Sequence, residues 1–195
     1  MAKIYIIMGK SSSGKDTIYS ELRGMTSLNL KNITMYTTRP MRVGEENGRE
    51  YFFTDEEYVR NLEINNRIIE LRAYNTVHGI WKYFTADDGQ INKNSNDKYL
   101  VIGTLEAYEK YLEYYGNDVV VPIYIEIDDK TRIHRALARE DSQKEPKYAE
   151  MCRRFLADEQ DFSNDKLEKA GIVKRYKNIN LKECIAEITN DIMKS

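Results

Sequence analysis

The residues most able to do chemistry stand near the start of the chain, in Gly9-Lys10-Ser11-Ser12-Ser13-Gly14-Lys15-Asp16-Thr17. An apolar run, Ile4 to Met8, precedes them, and a segment with helical character, Thr17 to about Met25, follows. Strand, glycine loop and helix in that order form a phosphate-binding loop. The glycines let the backbone curl until several amide N–H groups face one anion, and the following helix adds the positive end of its dipole. Lys15 then reaches the β- and γ-phosphates of a nucleotide. The next position normally carries a Ser or Thr hydroxyl for magnesium, and here it is Asp16, with the Thr17 hydroxyl one residue on. Two readings of Asp16 stand open: a carboxylate that meets magnesium through water, or a helix N-terminal acid favoured by the dipole.

A second block runs Thr37-Thr38-Arg39-Pro40-Met41-Arg42 and continues through Gly44-Glu45 and Gly48 to Tyr51. Two guanidinium forks this close can grip one phosphate bidentately, which lysine cannot do, and Tyr51 offers a hydroxyl to the same anion. A solvated charged loop is the alternative for this block taken alone. A third set is basic: Arg132, Arg135 and Arg139 on one helix, then Arg153 and Arg154 on the next. Arg135 and Arg139 share a face and can stabilise the charge that develops in phosphoryl transfer. Arg132 reads as part of a solvated helix face paired with acids. His78 and His134 have no partner at ligand or triad spacing, so neither is assigned a role.

The elements that must position these groups alternate between strand and helix. Lys3 to Met8 is nearly all apolar, as a strand buried on both faces requires. Strands are expected at Ile33–Tyr36, Tyr51–Phe53, Ile68–Tyr74 and Val77–Thr85, with Asn75-Thr76 turning between the last two. Thr54 with Glu57 forms a capping box for a helix that carries Tyr58, Leu62 and Ile64 inward. Tyr99–Ile102 and Val119–Ile127 are further strands, the latter rich in β-branched residues. Thr104 caps a helix over Leu105–Tyr115, and Lys130–Arg139 is a basic helix. Glu140–Lys147 reads as a mobile loop. A long helix over Tyr148–Asp165, a strand over Gly171–Tyr176, and a final helix capped by Asn180 and running to Met193 complete the chain. Such alternation implies right-handed crossovers and a parallel sheet, with ligands beyond the carboxyl ends of its strands.

The 195 residues are 41% hydrophobic and 32% charged, with a formal net charge of -2. That fits one soluble α/β domain and gives no reason to expect a nucleic-acid or membrane partner. Cys152 and Cys184 are too few and too far apart for a zinc site or a disulfide framework, so a reducing compartment, the cytoplasm, is expected. The apolar run at the start is too short for a signal peptide or a membrane span.

With these residues in place the sequence resembles the guanylate kinase family. The likeness is carried by the glycine loop, then Thr37-Thr38-Arg39, Arg42, Gly44-Glu45, Gly48 and Tyr51. It extends over the whole chain and weakens beyond Thr85. It implies an α/β P-loop NTPase fold: a parallel sheet core flanked by helices (1–33 and 86–195), a small β-rich insertion that binds the nucleoside monophosphate (34–85), and a lid at about 139–150. It implies transfer of the γ-phosphoryl of ATP, carried with Mg²⁺, onto GMP. Gly9, Ser11, Ser12, Ser13, Gly14, Lys15, Asp16 and Thr17 then hold ATP, and Asn178 lies near the adenine. Arg39, Arg42 and Tyr51 match residues that hold the GMP phosphate. Glu70 matches the acid that reads guanine, whose N1–H and N2–H₂ donors suit a carboxylate where the N1 acceptor of adenine does not. Tyr83 and Thr85 match further GMP contacts, across an alignment that needs one extra residue in 78–83. Arg135 and Arg139 match lid arginines, and Arg154 matches an arginine that touches both phosphates. Neither oligomeric state, monomer or homodimer, is favoured.

The chain departs from that pattern in four places. No acid follows Val101-Ile102, where the family has Asp-x-Asp; Met35 replaces a serine near the base; Ser12 replaces a glycine; and Asp16 follows the lysine. Gly-Lys-Asp also resembles the loop of ribose 1,5-bisphosphate phosphokinases. Three functions therefore remain open: a guanylate kinase, a related kinase with another phosphorylated acceptor such as ribose 1,5-bisphosphate, and a non-catalytic guanylate kinase-like binding module.

Overall fold

The computed structural model describes residues 1–76 and 79–195. Its organising strand is β1 (Lys3–Met8), whose alternate residues enter two separate cores. Ile4, Ile6 and Met8 pack with Tyr99, Val101, Tyr108, Tyr111, Val120, Tyr124 and Phe162. Tyr5 and Ile7 pack on the other face with Ile18, Leu22, Leu100, Ile123, Ile125, Ile185 and Ile188. A strand with no polar face must sit mid-sheet between helices, and β1 does. The sheet order is β2-β7-β1-β8-β9, with β2 (Leu30–Asn32), β7 (Lys98–Ile102), β8 (Val120–Glu126) and β9 (Arg175–Lys177). Every neighbouring pair in it is parallel. Helix α1 (Lys15–Gly24) leaves directly from the loop after β1, so the glycine loop stands at the carboxyl end of the central strand, where α/β sheets bind ligands.

A second sheet of order β4-β3-β6-β5 is formed by β3 (Tyr36–Thr37), β4 (Phe52–Phe53), β5 (Ile68–Thr76) and β6 (Gly79–Ala86). Its own small core is Tyr36, Val59, Leu62, Phe84 and Ala86, which buries one side of α2 (Glu56–Ile64). Helix α3 (Leu105–Tyr115), capped by the Thr104 side chain as expected, packs against β5 and joins the two sheets. Val77 and His78, which open one expected strand, lie outside the described residues.

Several boundaries differ from the sequence reading. Residues 33–36 are not one strand; the chain changes sheets there, pairing Leu30–Asn32 with β7 and Tyr36–Thr37 with β4 and β6. The cap of α2 is Asp55, whose carboxylate accepts from Tyr58 N at 2.8 Å. Val59 and Leu62, one turn apart, therefore face inward, while Tyr58 is 40% and Ile64 81% exposed. The expected helix 148–165 is two helices, α5 (Tyr148–Asp161) and α6 (Asn164–Lys169). Phe162 turns into the core against Tyr124, which takes the backbone out of the helix between them. The expected strand 171–176 narrows to β9, because Gly171 turns at φ +72° and Val173 is exposed. Helix α4 (Asp129–Asp141) keeps Glu140 and Asp141, and Glu140 is buried, accepting from Lys147 N at 3.0 Å. Asn180 caps α7 (Leu181–Lys194) by accepting from Lys182 N and Glu183 N.

Truncating Ile188, fully buried between α7 and α1, to Ala is expected to cost about 2–5 kcal/mol in urea unfolding. Ile64→Ala, on the exposed side of α2, is expected to stay within about 0.5 kcal/mol of the parent.

Candidate functional site

The glycine loop has the geometry of an anion cradle. Gly14 precedes α1 in the left-handed region at φ 89°, and no side chain caps the first turn. Its amide N–H groups are thus left for a ligand. A Cβ on Gly14 would stand 2.3 Å from Asn178 Nδ2, and one on Gly9 2.7 Å from Ile125 O, so both glycines are required by close packing as well as by φ. Ser12 also adopts a positive φ, 63°. Lys15 lies 3.5 Å from the Asp16 carboxylate. Asp16 and Thr17 are exposed, and Ser13 is buried with its Oγ unpartnered.

Behind the loop lies the largest departure from the sequence reading. Arg132 is not on a solvated face; it is the largest fully buried side chain, 1% exposed. Its Nε donates to Ser11 O at 3.1 Å and its Nη1 to Asp129 Oδ1 and Glu159 Oε1, each at 2.7 Å. Its Nη2 donates to Asp158 Oδ2 at 3.3 Å, and its plane stacks on Phe155 at 4.4 Å. Asp158 Oδ2 also accepts from Ser11 N at 2.7 Å, and Lys10 Nζ donates to Glu159 Oε2 at 2.6 Å. A buried guanidinium must be met by charge and hydrogen bonds, and α5 supplies both. Pattern alone hides this, because Asp158 and Glu159 come from a helix far along the chain.

Arg135 and Asn178 meet at the other side of the loop. Asn178 Nδ2 donates to Ser13 O at 2.8 Å, and Arg135 donates to Ser13 O at 3.5 Å and to Asn178 O at 3.3 Å. The structure therefore puts both on the loop backbone. Arg139 and Arg154 stand apart from it. Arg139 is half-exposed, 3.9 Å from Glu140, and Arg154 donates to Glu150 at 2.8 Å on the outer side of α5. Arg153 and Arg154 together hold the Glu150 carboxyl down to about 2.

In the second block the two arginines do not converge. Arg39 is buried and makes a fork with Glu45: Nη1 to Oε2 at 3.0 Å and Nη2 to Oε1 at 2.7 Å. Arg42 points outward and contributes its backbone N–H to the same carboxylate at 2.7 Å. Glu45 thus occupies an oxyanion seat formed by the Arg39 fork and one amide. The Arg39 fork, then the Arg42 amide, hold its carboxyl below the ordinary carboxylate range. The Arg39 guanidinium lies 5.8 Å from the Tyr51 ring, which stands edge-on to Tyr83 at 5.5 Å.

Tyr51 and Tyr83, with Met35, Arg72, Tyr74 and Trp81, line a cavity of about 380 Å³. Glu70 does not line it. Glu70 is 3% exposed beneath Arg72, whose Nε donates to Oε2 at 3.0 Å and Nη2 to Oε1 at 3.4 Å. Thr85 Oγ1 donates to Glu70 Oε1, and Tyr111 OH donates to Thr85 Oγ1, both at 3.2 Å. Burial pushes the Glu70 carboxyl upward against the opposing pull of Arg72 and Thr85. Arg72 escaped the sequence reading; its signal was its position two residues after Glu70, hence on the same face of a strand.

The donors near the loop suit magnesium bound with a nucleotide. Asp16 gives an exposed hard oxygen at the first turn of α1, and such a cation takes one or two carboxylates with phosphates and water. No cluster of three or more acidic, His or Cys side chains that would hold a metal unaided occurs among the described residues.

The guanylate kinase family model matches residues 1–171. The chain is similar to the guanylate kinase of Mesoplasma florum, 41% identical over 68 residues, 35% of this chain and 23% of that protein. It is similar to that of Thermotoga maritima, 27% identical over 129 residues, 66% of this chain and 62% of the relative. With that of Porphyromonas gingivalis it is 30% identical over 128 residues, 64% of this chain and 65% of the relative. Matches to these relatives span between 23% and 65% of their length. The crystal structure of guanylate kinase from Anaplasma phagocytophilum superposes with a TM-score of 0.62 at 21% identity, over 99% of this chain and 85% of that one; at that identity the likeness is one of fold.

Arg132→Met is expected to cost about 3 kcal/mol in chemical unfolding, the low end for a broken buried pair because Asp129 and Glu159 keep some contact with water. Glu45 is expected to titrate below the ordinary carboxylate range by NMR, and to move up towards it in Arg39→Met, where the Arg42 amide alone remains. Because the folded value is the depressed one, the stability Glu45 lends is present above the ordinary carboxylate pKa and lost as pH falls through the lower folded value.

Proposed function

Since the chain belongs to the guanylate kinase family, we propose that it transfers the γ-phosphoryl group of ATP to GMP, giving ADP and GDP. The observation that carries this reading is the pairing of two oxyanion seats. One is the uncapped start of α1 with Lys15; the other is the Arg39 fork, filled in this structure by Glu45. A donor triphosphate and an acceptor monophosphate each need such a seat.

In this reading the loop amides and Lys15 hold the β- and γ-phosphates of ATP, and Asp16 with Thr17 faces the magnesium that travels with it. When bound, that ion neutralises charge on the transferring phosphate. Arg135 and Asn178 keep the loop in shape from behind. The acceptor phosphate displaces Glu45 from Arg39, and Tyr51 and Tyr83 flank it. An oxygen of the GMP phosphate attacks the γ-phosphorus in line as the bond to the β-phosphate oxygen breaks. No protein nucleophile is needed, because the attacking oxygen is already on the substrate. Arg139 and Arg154 reach the transferring group only if the ends of α4 and α5 that meet at about 139–150 swing inward while the Arg132 network stays in place, a closure that also excludes water. Residues 34–85 act in this proposal as the acceptor-binding insertion and about 139–150 as the lid.

A second reading keeps the kinase and changes the acceptor to another small phosphorylated molecule such as ribose 1,5-bisphosphate. It is favoured by the covering of Glu70 by Arg72 and by the absence of an acid at Gly103-Thr104. A non-catalytic module fits less well, because Lys15 and both loop glycines are in place. Among the described residues no helix is long and apolar enough to cross a membrane, and the proposal places the reaction in the cytoplasm.

ADP release, followed by a coupled assay over GMP, dGMP, AMP, CMP, UMP and ribose 1,5-bisphosphate, tests the reading. Magnesium-dependent turnover of GMP is expected, and its absence sinks the proposal. Lys15→Ala is expected to lower the rate at least about 100-fold, the scale of removing one donor to developing charge.

A further inference from the structure

We propose that Arg72, held by Glu70, is the group that reads the far end of the acceptor, and that it does so by donating to two adjacent hydrogen-bond acceptors: O6 and N7 of a 6-oxopurine. The inference rests on the acceptor being a guanine nucleotide and departs from the direct reading of Glu70 as the base-recognising acid.

The geometry sets the roles. Glu70 is sealed under the sheet, and three of the roughly four acceptor positions of a carboxylate are used by Arg72 Nε, Arg72 Nη2 and Thr85 Oγ1. Arg72, 18% exposed at its side chain, is the member of the ion pair that lines the cavity. Its bonds to Glu70 run along the Nε–Nη2 edge, and among the described residues the rest of the guanidinium meets only neutral groups, the Met35 sulfur and the Tyr74 hydroxyl, which a ligand can displace. Nη2 donates to Met35 Sδ at 3.6 Å, a weak acceptor that a ligand oxygen or ring nitrogen outcompetes.

The lining of the cavity suits such a ligand. The Tyr51 ring meets the Arg39 guanidinium at 5.8 Å and also lines the cavity with Arg72, so a molecule whose phosphate meets Arg39 extends past the Tyr51, Tyr74, Trp81 and Tyr83 rings towards Arg72. Aromatic walls suit a planar base. A guanidinium fork suits O6 and N7 of guanine, which lie side by side as acceptors. Adenine presents an amino group in place of O6 and would set donor against donor. Glu70 is a positioning residue here: it fixes the rotation of the guanidinium and compensates its charge.

The test is a cycle between residue and substrate atom. Steady-state kinetics would compare GMP with 2-aminopurine riboside 5′-monophosphate, which lacks O6, and with 7-deaza-GMP, which lacks N7, in the parent, Arg72→Met and Arg72→Lys. Arg72→Lys keeps a cation against Glu70, and with it the fold, but loses the fork. The parent is expected to favour GMP over each analogue by about 10–100-fold in kcat/KM, the worth of a bidentate contact to guanine. Both Arg72 variants are expected to raise KM for GMP with little change in kcat, and to bring the three substrates within a few-fold of one another. Undiminished preference for GMP in Arg72→Lys, with parent-like thermal unfolding, overturns the role of Arg72 while leaving guanylate kinase activity standing. A parent enzyme that ignores GMP and turns over ribose 1,5-bisphosphate overturns the functional reading itself, and the purine contact with it.

Discussion

The ion network beneath the glycine loop is the constraint on which the site depends. A loop of glycine and serine with positive φ at Gly14 and Ser12 has little conformational preference of its own. Arg132 and Asp158 grip Ser11 at its carbonyl and its amide, and Lys10 is tied to Glu159. Asn178 and Arg135 grip Ser13. The loop is therefore held at both shoulders by residues from α4, α5 and the end of β9, which leaves the amides at the start of α1 turned to the ligand side.

A common physical theme runs through the cationic sites. Three guanidinium groups withdrawn from water are met by carboxylates of the same chain: Arg132 by Asp129, Asp158 and Glu159, Arg39 by Glu45, and Arg72 by Glu70. An unpaired buried charge is too costly to persist. The pairs differ in what they permit. Glu45 sits on the loop between β3 and β4, and in the proposed reaction the acceptor phosphate takes its seat. Asp158 and Glu70 are fixed in a helix and a strand and serve as scaffolding. The formal net charge of -2 gave no hint that cationic sites were present.

Much of the fold was legible. Local pattern placed the central strand, the helix after the glycine loop, and the Thr104 and Asn180 caps, because those features depend on near neighbours. Phe162 breaks a helix that reads as continuous, since the pull of Tyr124 and the core comes from outside the segment. On α2 Leu62 faces inward as expected, but its inward partner is Val59, and Tyr58 and Ile64 are exposed. Of the site, the loop and the Thr37–Tyr51 block were visible as motifs. The burial of Arg132 and the convergence of Arg135 with Asn178 on Ser13 were not.

By itself the sequence determined the chemistry on offer: a phosphate loop with Lys15, a second arginine block, an acid at Glu70, and Asp16 beside the lysine. Residue types and short spacings decide those. Only the tertiary structure decided which charges face a ligand and which face each other. Arg42 and Arg139 are outward, Arg132 is inward, and Glu70 is covered by Arg72. For Arg132 the reason is that its loop and α5 partners are brought to it across the chain, 26 residues away for Asp158 and 121 for Ser11; Arg39 and Arg72 pair with near neighbours, Glu45 and Glu70, and there it is burial in the fold that closes the pair on itself.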